Sequence, residues 1–178
     1  MNNEFMDMHR DFIQFWSRRV KHGKFIPQVL DIGSRVVNKQ PRLRDLFTAL
    51  PFEVRYTGVD IVSGPGVDIV HAAADPREPY VFDPATFDLI VVSSVFEHCY
   101  DPWFLMKEIH RLLRPGAYAH ILTPTVARYH CAPDRWRIMK DGWVAITEEA
   151  GLILIKNEID DRCKKWHPAN VIVQKPTQ

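Results

Sequence analysis

The first clear hydrophobic pattern lies near the amino end of the chain. Between residues 5 and 20, apolar side chains recur at steps of three and four residues, and charged or polar side chains fill the positions between them. This spacing places the apolar residues on one face of an α-helix. They are Phe5, Met8, Phe12, Phe15, Trp16 and Val20. The pattern predicts an amphipathic helix that ends at Gly23.

Beyond this helix, short apolar or β-branched segments alternate with segments of helical spacing. The predicted strands cover residues 25–32, 53–60, 67–71, 87–93, 117–123, 152–159 and 169–174. The predicted helices cover residues 42–50 and 141–150, together with a third that begins at Asp101-Pro102 and ends at Arg114-Pro115-Gly116. Residues 87–93 form a nearly continuous apolar run, which is typical of a central strand buried on both faces.

The order of these elements predicts an α/β fold. Strands that alternate with helices form a mostly parallel sheet with helices on both faces, which gives three layers. No helix separates the last two predicted strands, so we expect an antiparallel hairpin at the carboxyl end. In such sheets ligands bind at the carboxyl ends of the strands, and functional side chains are expected there.

Length and composition limit the classes of protein to which the chain can belong. The chain has 178 residues, of which 46% are hydrophobic and 25% charged, and these values indicate one globular domain. We expect residues 1–178 to form it, with residues 1–24 as an amphipathic helix and candidate lid and residues 25–178 as the core. The formal net charge of +1 gives no general attraction to nucleic acid or to a membrane. Because no apolar stretch approaches ~20 residues and the amino end is acidic, we expect a cytoplasmic protein.

The cysteines argue against two kinds of site. Cys99, Cys131 and Cys163 are odd in number, lie far apart and form no C-x-x-C pair. This pattern disfavours a disulfide framework and a zinc site built from cysteines. We expect three reduced thiols and no metal site.

Polar residues cluster where the predicted strands end. They are Asp31, Gly33 and Ser34 after the first strand, Asp60 and Ile61 after the second, Asp75 after the third, and Ser93, Ser94 and His98 after the fourth. A carboxylate after the second strand can accept two hydrogen bonds from a ribose diol, and a glycine after the first lets a ligand approach the backbone. A carboxylate after the third can accept from the exocyclic amine of a base. The set predicts a cofactor site, although each carboxylate alone is also typical of a cap or a loop.

Four segments, in this order and spacing, resemble the motifs of one family. They are Val29-Leu30-Asp31-Ile32-Gly33-Ser34, Gly58-Val59-Asp60, Phe87-Asp88-Leu89-Ile90-Val91-Val92-Ser93 and Glu108-Ile109-His110-Arg111-Leu112-Leu113-Arg114-Pro115-Gly116. The chain resembles the class I S-adenosylmethionine-dependent methyltransferases from about Val29 to Val173. The resemblance implies a three-layer Rossmann-like methyltransferase fold with a mostly parallel seven-stranded sheet, and S-adenosylmethionine as the cofactor.

The resemblance also implies which residues bind the cofactor. Asp60 would bind the ribose, Asp31 and Gly33 would lie near the methionine part, and Asp75 would lie at the adenine. The full candidate set is Asp31, Gly33, Ser34, Arg35, Asp60, Ile61, Asp75, Ser93 and Ser94. The first motif departs from the family pattern, because Ser34-Arg35-Val36-Val37-Asn38 stands where the family has further glycines. Arg35 and Asn38 are candidates to bind the carboxylate of the cofactor.

The acceptor side needs different chemistry. Methyl transfer from a sulfonium is an in-line displacement, so the protein positions the acceptor and, for a hydroxyl or ammonium group, accepts a proton. His98 and His130 are the candidate catalytic bases. The alternative for His98 is a structural role, as a helix cap or a partner of Glu97.

The segment after the fifth predicted strand holds the candidate acceptor contacts. Arg135 and Arg137 could pair with an anion, and Trp136 could form a flat apolar wall. The alternative is that Trp136 packs and the arginines face solvent. A positive rim is predicted from these arginines together with Arg35, Lys39, Arg42 and Arg44. We therefore expect transfer to an O or N atom of a small polar or anionic molecule.

Other functions fit parts of the sequence. A nucleic-acid acceptor is disfavoured, because Ser93-Ser94-Val95-Phe96 replaces the Asn/Asp-Pro-Pro-aromatic segment that holds a flipped base. A dehydrogenase needs G-x-G-x-x-G after the first strand, and that spacing is absent. A non-catalytic methyltransferase-like module that binds a partner protein would explain Arg35-Val36-Val37. The enzyme is favoured by four retained residues, Asp31, Gly33, Asp60 and Asp75. We further expect that a homodimer or a partner protein completes the acceptor pocket.

Overall fold

The computed structural model describes residues 3–23, 25–37, 40–72, 75–77 and 82–177. The helices in these ranges are α1 (Asn3–Ser17), α2 (Arg44–Thr48), α3 (Pro102–Leu112) and α4 (Lys140–Glu149). The strands are β1 (Gln28–Ile32), β2 (Arg55–Asp60), β3 (Ile69–Val70), β4 (Phe87–Ser93), β5 (Leu113–Pro124), β6 (Ile153–Ile159) and β7 (Pro168–Gln174).

The seven strands form one sheet in the order β3-β2-β1-β4-β5-β7-β6. The first five strands pair in parallel, and β7 pairs antiparallel with both β5 and β6. This confirms the mostly parallel sheet and the antiparallel hairpin at the carboxyl end. Strand order reverses between β1 and β4, so the chain leaves these two strands in opposite directions. Such a reversal opens a crevice at the carboxyl ends of the strands, where α/β proteins bind ligands.

The hydrophobic core lies on both faces of the sheet, and β4 contributes to both halves. Leu89 and Val91 pack with residues of α1 and α2 on one face. Ile90 and Val92 pack with residues of α3 and α4 on the other. Successive side chains of a strand point to opposite faces, so a strand covered on both sides is apolar almost throughout. The three predicted layers and the bounds of β4 are confirmed.

Helix α3 begins as the sequence predicts but ends earlier. The side chain of Asp101 accepts hydrogen bonds from two backbone N–H groups of the first turn, which caps the helix. Its end was expected at Arg114-Pro115-Gly116, and this expectation is wrong. The strand β5 begins at Leu113, because Leu113 pairs with Phe87 of β4.

Helix α1 is part of the core and not an appendage on its surface. It ends at Ser17, short of the end predicted at Gly23. Its buried residues are Phe5, Met6, Met8, His9, Phe12, Ile13 and Trp16. The packing role of Phe12 and Trp16 follows from their place in the same cluster as residues of β1 and β4.

Two further features concern the described ranges only. None of their helices is both long and apolar enough to cross a membrane. All three cysteines lie in these ranges and no disulfide bond joins them; Cys99 and Cys163 are buried, and Cys131 is exposed.

Candidate active site

A cavity of about 800 Å³ opens at the carboxyl ends of β1, β2 and β4. Ten of the sequence-predicted site residues line it: Asp31, Gly33, Ser34, Arg35, Asp60, Ile61, Ser93, Ser94, His98 and His130. Phe5 of α1 also reaches it. Its volume lies in the range of pockets that hold small ligands and cofactors.

Gly33 shapes the wall of the cavity after β1. Its backbone has φ +84°, a conformation that favours glycine, and its N–H donates to the carbonyl of Val59 at 2.8 Å. A Cβ at this position would lie 2.4 Å from Cγ2 of Val95. Even alanine would therefore push this loop away from the segment that follows β4.

The side chains that replace the family's further glycines are accommodated by the facing loop. A Cβ on Gly58 of β2 would lie 2.7 Å from the Ser34 hydroxyl oxygen. The N–H of Val36 donates to the carbonyl of Pro65 at 2.8 Å. The loop after β1 is thus held against the connection between β2 and β3, and the cavity stays open beside it.

Asp60 stands at the end of β2 and is largely buried, with 15% of its side chain exposed. Its Oδ2 accepts from the N–H of Arg35 and its Oδ1 from the N–H of Val62, both at 3.1 Å. A carboxylate has about four lone-pair sites, so these two bonds leave acceptor capacity on both oxygens. Asp60 can therefore organise its loops and still accept hydrogen bonds from a diol.

Asp31 is buried at the centre of the sheet edge. The hydroxyl of Tyr56 donates to its Oδ2. Burial raises the pKa of Asp31 to about 7, and the hydrogen bond from Tyr56 opposes that rise. This carboxyl group can consequently change its protonation state near neutral pH.

Two histidines face a buried glutamate at the other end of the cavity. His98 Nδ1 donates to the carbonyl of Pro133 at 2.5 Å, and His130 Nδ1 lies 3.0 Å from Oδ2 of Asp134. Nε2 of His98 is 3.7 Å from Oε1 of Glu97. Burial raises the pKa of Glu97, and the hydrogen bond from the hydroxyl of Thr123 opposes that rise.

The loop after β5 holds His130 through an ion pair. The guanidinium of Arg137 donates to both oxygens of Asp134, at 2.5 and 2.7 Å. These hydrogen bonds hold the pKa of Asp134 well below its usual range, so the carboxylate beside His130 is charged. The backbone N–H groups of Arg135 and Trp136 donate to the carbonyl of Glu97, which fixes the loop over the segment after β4.

Sequence comparison agrees with this geometry. A family profile described as a methyltransferase domain matches residues 30–121, which is more than half of the chain. The chain belongs to this family. The family agrees with the S-adenosylmethionine cofactor that the sequence predicts. No curated protein matches the sequence.

Solved structures of methyltransferases share the fold. The citrinin polyketide synthase CMeT domain superposes with a TM-score of 0.73 at 15% identity, over 98% of this chain and 53% of that one. The Burkholderia thailandensis 1,6-didemethyltoxoflavin-N1-methyltransferase, with S-adenosylhomocysteine bound, gives 0.72 at 17% identity, over 96% and 78%. The CurJ carbon methyltransferase gives 0.69 at 14% identity, over 95% and 54%. The chain thus spans about half the length of two of these structures, and at such identities the likeness shows the fold alone.

Four sequence-predicted residues of this methyltransferase domain do not line the cavity: Asp75, Arg135, Trp136 and Arg137. Arg77 binds both oxygens of Asp75 and holds its pKa at about 2. The indole N–H of Trp136 donates to the carbonyl of Cys99 at 3.0 Å, and a guanidinium N–H of Arg135 donates to that of His98 at 2.7 Å. Adenine binding by Asp75 and acceptor binding by the other three stay predictions. The candidates Asn38 and Lys39 lie outside the described residues.

Glu97, Lys165 and Trp166 are among the lining residues that sequence reasoning did not select. Lys165 and Trp166 belong to the connection between β6 and β7, far along the chain from the other site residues. The ring of Trp166 meets that of His130 edge to face at 5.0 Å, and the Lys165 ammonium lies 4.8 Å from the Trp166 ring. Trp166 thus places an aromatic ring at the cavity, which Trp136 does not line. Only Glu97, which directly precedes His98, had a signal in the sequence.

Proposed function

We propose that this methyltransferase moves a methyl group from S-adenosylmethionine to an O or N atom of a small polar or anionic molecule by in-line displacement. The observation that carries the proposal is the continuity of the cavity. Residues at the ends of β1 and β2 line the same cavity as His98, His130 and Trp166. A cofactor half and an acceptor half in one cavity let two reactants meet in a fixed orientation.

The residues present fit the cofactor. The hydroxyl oxygens of Ser34 and Ser93 are buried beside the cavity without a hydrogen-bond partner in the described ranges. Such orphaned groups are satisfied when a polar ligand binds. Asp60 would hold the ribose hydroxyls, and Arg35, exposed beside it, would pair with the carboxylate of the methionine part. Bound S-adenosylmethionine supplies an electrophilic methyl group.

The acceptor half supports removal of a proton from a hydroxyl or ammonium acceptor. Because Nδ1 of His98 donates to a carbonyl, its Nε2 is the basic nitrogen, and the same argument applies to His130 beside the carboxylate of Asp134. Trp166 offers a flat apolar surface for a ring, and Lys165 places a positive charge next to it. These two side chains favour a planar molecule with an anionic or polar group.

Cofactor binding is the first test of this function. Wild-type protein titrated calorimetrically with S-adenosylmethionine and S-adenosylhomocysteine should bind both, and Asp60→Ala should weaken binding by at least about 100-fold, since a buried acceptor of two hydrogen bonds is lost. Asp45→Ala, an exposed carboxylate on α2, is the matched control and should bind normally. If folded wild-type protein binds neither compound, the proposal fails and the non-catalytic module that binds a partner protein replaces it.

Charge at the acceptor half gives a second test. Lys165→Glu should raise the KM for an anionic acceptor about fivefold or more, which corresponds to ~1 kcal/mol for a partly exposed ion pair, and should leave cofactor affinity unchanged. Lys164→Glu makes the same change at an exposed neighbour that does not line the cavity. Equal effects of the two variants would remove Lys165 from the site. Arg135→Glu tests the sequence-predicted arginine in the same assay.

The sequence predicts that residues 1–24 form a lid over the site. We propose this role for the first turn of α1 alone. Phe5 lines the cavity, whereas Phe12, Ile13 and Trp16 pack against the sheet. Deleting the whole segment would expose this core, so deletion cannot separate a lid from a structural helix.

A further inference from the structure

Three side chains that ligate metal ions meet at one end of the cavity. Glu97, His98 and His130 each offer one ligand atom, and these atoms all lie within 4.8 Å of one another. Glu97 and His98 follow β4, and His130 follows β5. Ligand atoms around a tetrahedral ion lie about 3.4 Å apart, so side-chain rotations that move them by about 1 Å would close the set around an ion.

Each histidine is oriented by a partner on the far side of its ring. His98 Nδ1 donates to the carbonyl of Pro133, and His130 Nδ1 bonds to the charged carboxylate of Asp134. In both rings the lone pair therefore resides on Nε2. Metal-binding histidines are held in this way, with the second ring nitrogen donating to a carbonyl or a carboxylate.

Glu97 supplies an oxygen without a partner. The side chain is fully buried, Oε2 accepts from the Thr123 hydroxyl at 2.8 Å, and Oε1 has no hydrogen-bond partner in the described ranges. Oε1 lies 3.7 Å from Nε2 of His98. A buried oxygen and a nitrogen of the partly exposed His98 ring, both with lone pairs, thus face each other, an arrangement that a bound cation stabilises.

We propose that Glu97, His98 and His130 bind one divalent transition-metal ion in the acceptor half of the cavity. Two imidazoles and one carboxylate suit ions such as Zn²⁺, Fe²⁺ or Co²⁺ better than Mg²⁺, which prefers oxygen ligands. Three protein ligands leave coordination positions open toward the cavity, as in catalytic metal sites.

The role of this ion rests on the proposed function. An acceptor with a hydroxyl, enolate or carboxylate oxygen would bind at the open positions. The ion would lower the pKa of a bound hydroxyl group, whose proton would pass to solvent before methyl transfer. The substrate class is thus narrowed to small molecules with a metal-binding oxygen. Because a ligating Nε2 cannot also accept a proton, the two histidines would then hold the ion in place of acting as bases.

Metal binding is measured directly on the full chain after treatment with a chelator. Titration with Co²⁺, followed by its visible absorption, and with Zn²⁺, followed by calorimetry, should show one ion per chain. Glu97→Gln, His98→Ala and His130→Ala should each weaken binding by at least about 100-fold. Two controls should bind as wild type: His22→Gln, an exposed histidine outside the cavity, and Cys131→Ser, which removes the exposed thiol beside His130.

The outcomes separate this proposal from the proposed function. Absence of one-to-one binding, or binding that Glu97→Gln leaves intact, overturns the metal site even if S-adenosylmethionine binds. Loss of binding with Cys131→Ser alone would place the ion elsewhere and overturns it as well. Metal binding without cofactor binding would keep the site and refute methyl transfer. Because a variant can fail by unfolding, the imidazole ¹⁵N resonances of wild-type His98 and His130 are also followed, and both Nε2 signals should shift on addition of Zn²⁺.

Discussion

Trp16→Ala is expected to lower the free energy of unfolding by about 3–5 kcal/mol, which is the usual effect of removing a large aromatic side chain from a core. Trp16 is 1% exposed, and its ring meets that of Phe47 of α2 at 6.2 Å. Its indole N–H donates to the carbonyl of Asp88 at the start of β4 at 3.2 Å. The substitution would leave a cavity between α1 and the sheet and remove the hydrogen bond to the Asp88 carbonyl.

Chemical denaturation followed by circular dichroism measures this change. Trp103→Ala is the matched control, because Trp103 on α3 is 41% exposed and should lose about 1 kcal/mol or less. A small loss for Trp16→Ala, or equal losses for the two variants, would mean that α1 is not docked on the sheet. Total stabilities of domains are about 5–15 kcal/mol, so Trp16→Ala is expected to bring this protein close to unfolding.

Acidification from pH 7 to pH 5 is expected to destabilise the protein through His9 and His120, by about 2 kcal/mol for each histidine. The two rings are buried, with their Nδ1 atoms 3.1 Å apart. His120 Nε2 donates to Oδ1 of Asn170 at 3.1 Å, so His120 Nδ1 is an acceptor and His9 Nδ1 donates to it. His9 Nε2 is then left without a partner in the described ranges, and a proton there would place an uncompensated charge in the core.

The sign of this change in stability with pH follows from the direction of the pKa shifts. Burial lowers the pKa of His9 well below 6.5 and that of His120 to about 3. In the unfolded chain both histidines bind protons as the pH falls below about 6.5, whereas in the folded protein they stay neutral. Protons therefore favour the unfolded chain, and stability is lost from about pH 6.5 down toward the pKa values of the folded state.

Asp31 acts in the opposite direction, since its pKa of about 7 in the folded protein lies above that of the unfolded chain. Its contribution to the free energy of unfolding is lost as the pH rises through 7 and returns on acidification. The histidine effect is thus isolated by comparing variants. His120→Gln should lose about 2 kcal/mol less than wild type between pH 7 and pH 5, whereas the exposed control His22→Gln should behave as wild type. Identical pH profiles for wild type and His120→Gln would contradict a neutral buried pair.

Prediction from sequence worked where the signal is local. The bounds of β4 follow from an apolar run, and the start of α3 follows from an aspartate cap and a proline. Boundaries set by pairing were missed. β3 is only Ile69–Val70, because it is an edge strand with β2 as its one partner. β5 starts earlier than predicted, because Leu113 pairs with Phe87 of β4.

The sequence by itself determined the order of elements, the parallel sheet and the strand ends where Asp31, Gly33 and Asp60 stand, because each depends on residues close together in the chain. Only the tertiary structure decided what surrounds them. Contacts between distant segments bring Trp166 to His130. The same kind of contact sets His130 beside Glu97 and His98. Such contacts form when separate loops meet at one edge of the sheet. The spacing of residues within a single loop does not predict them.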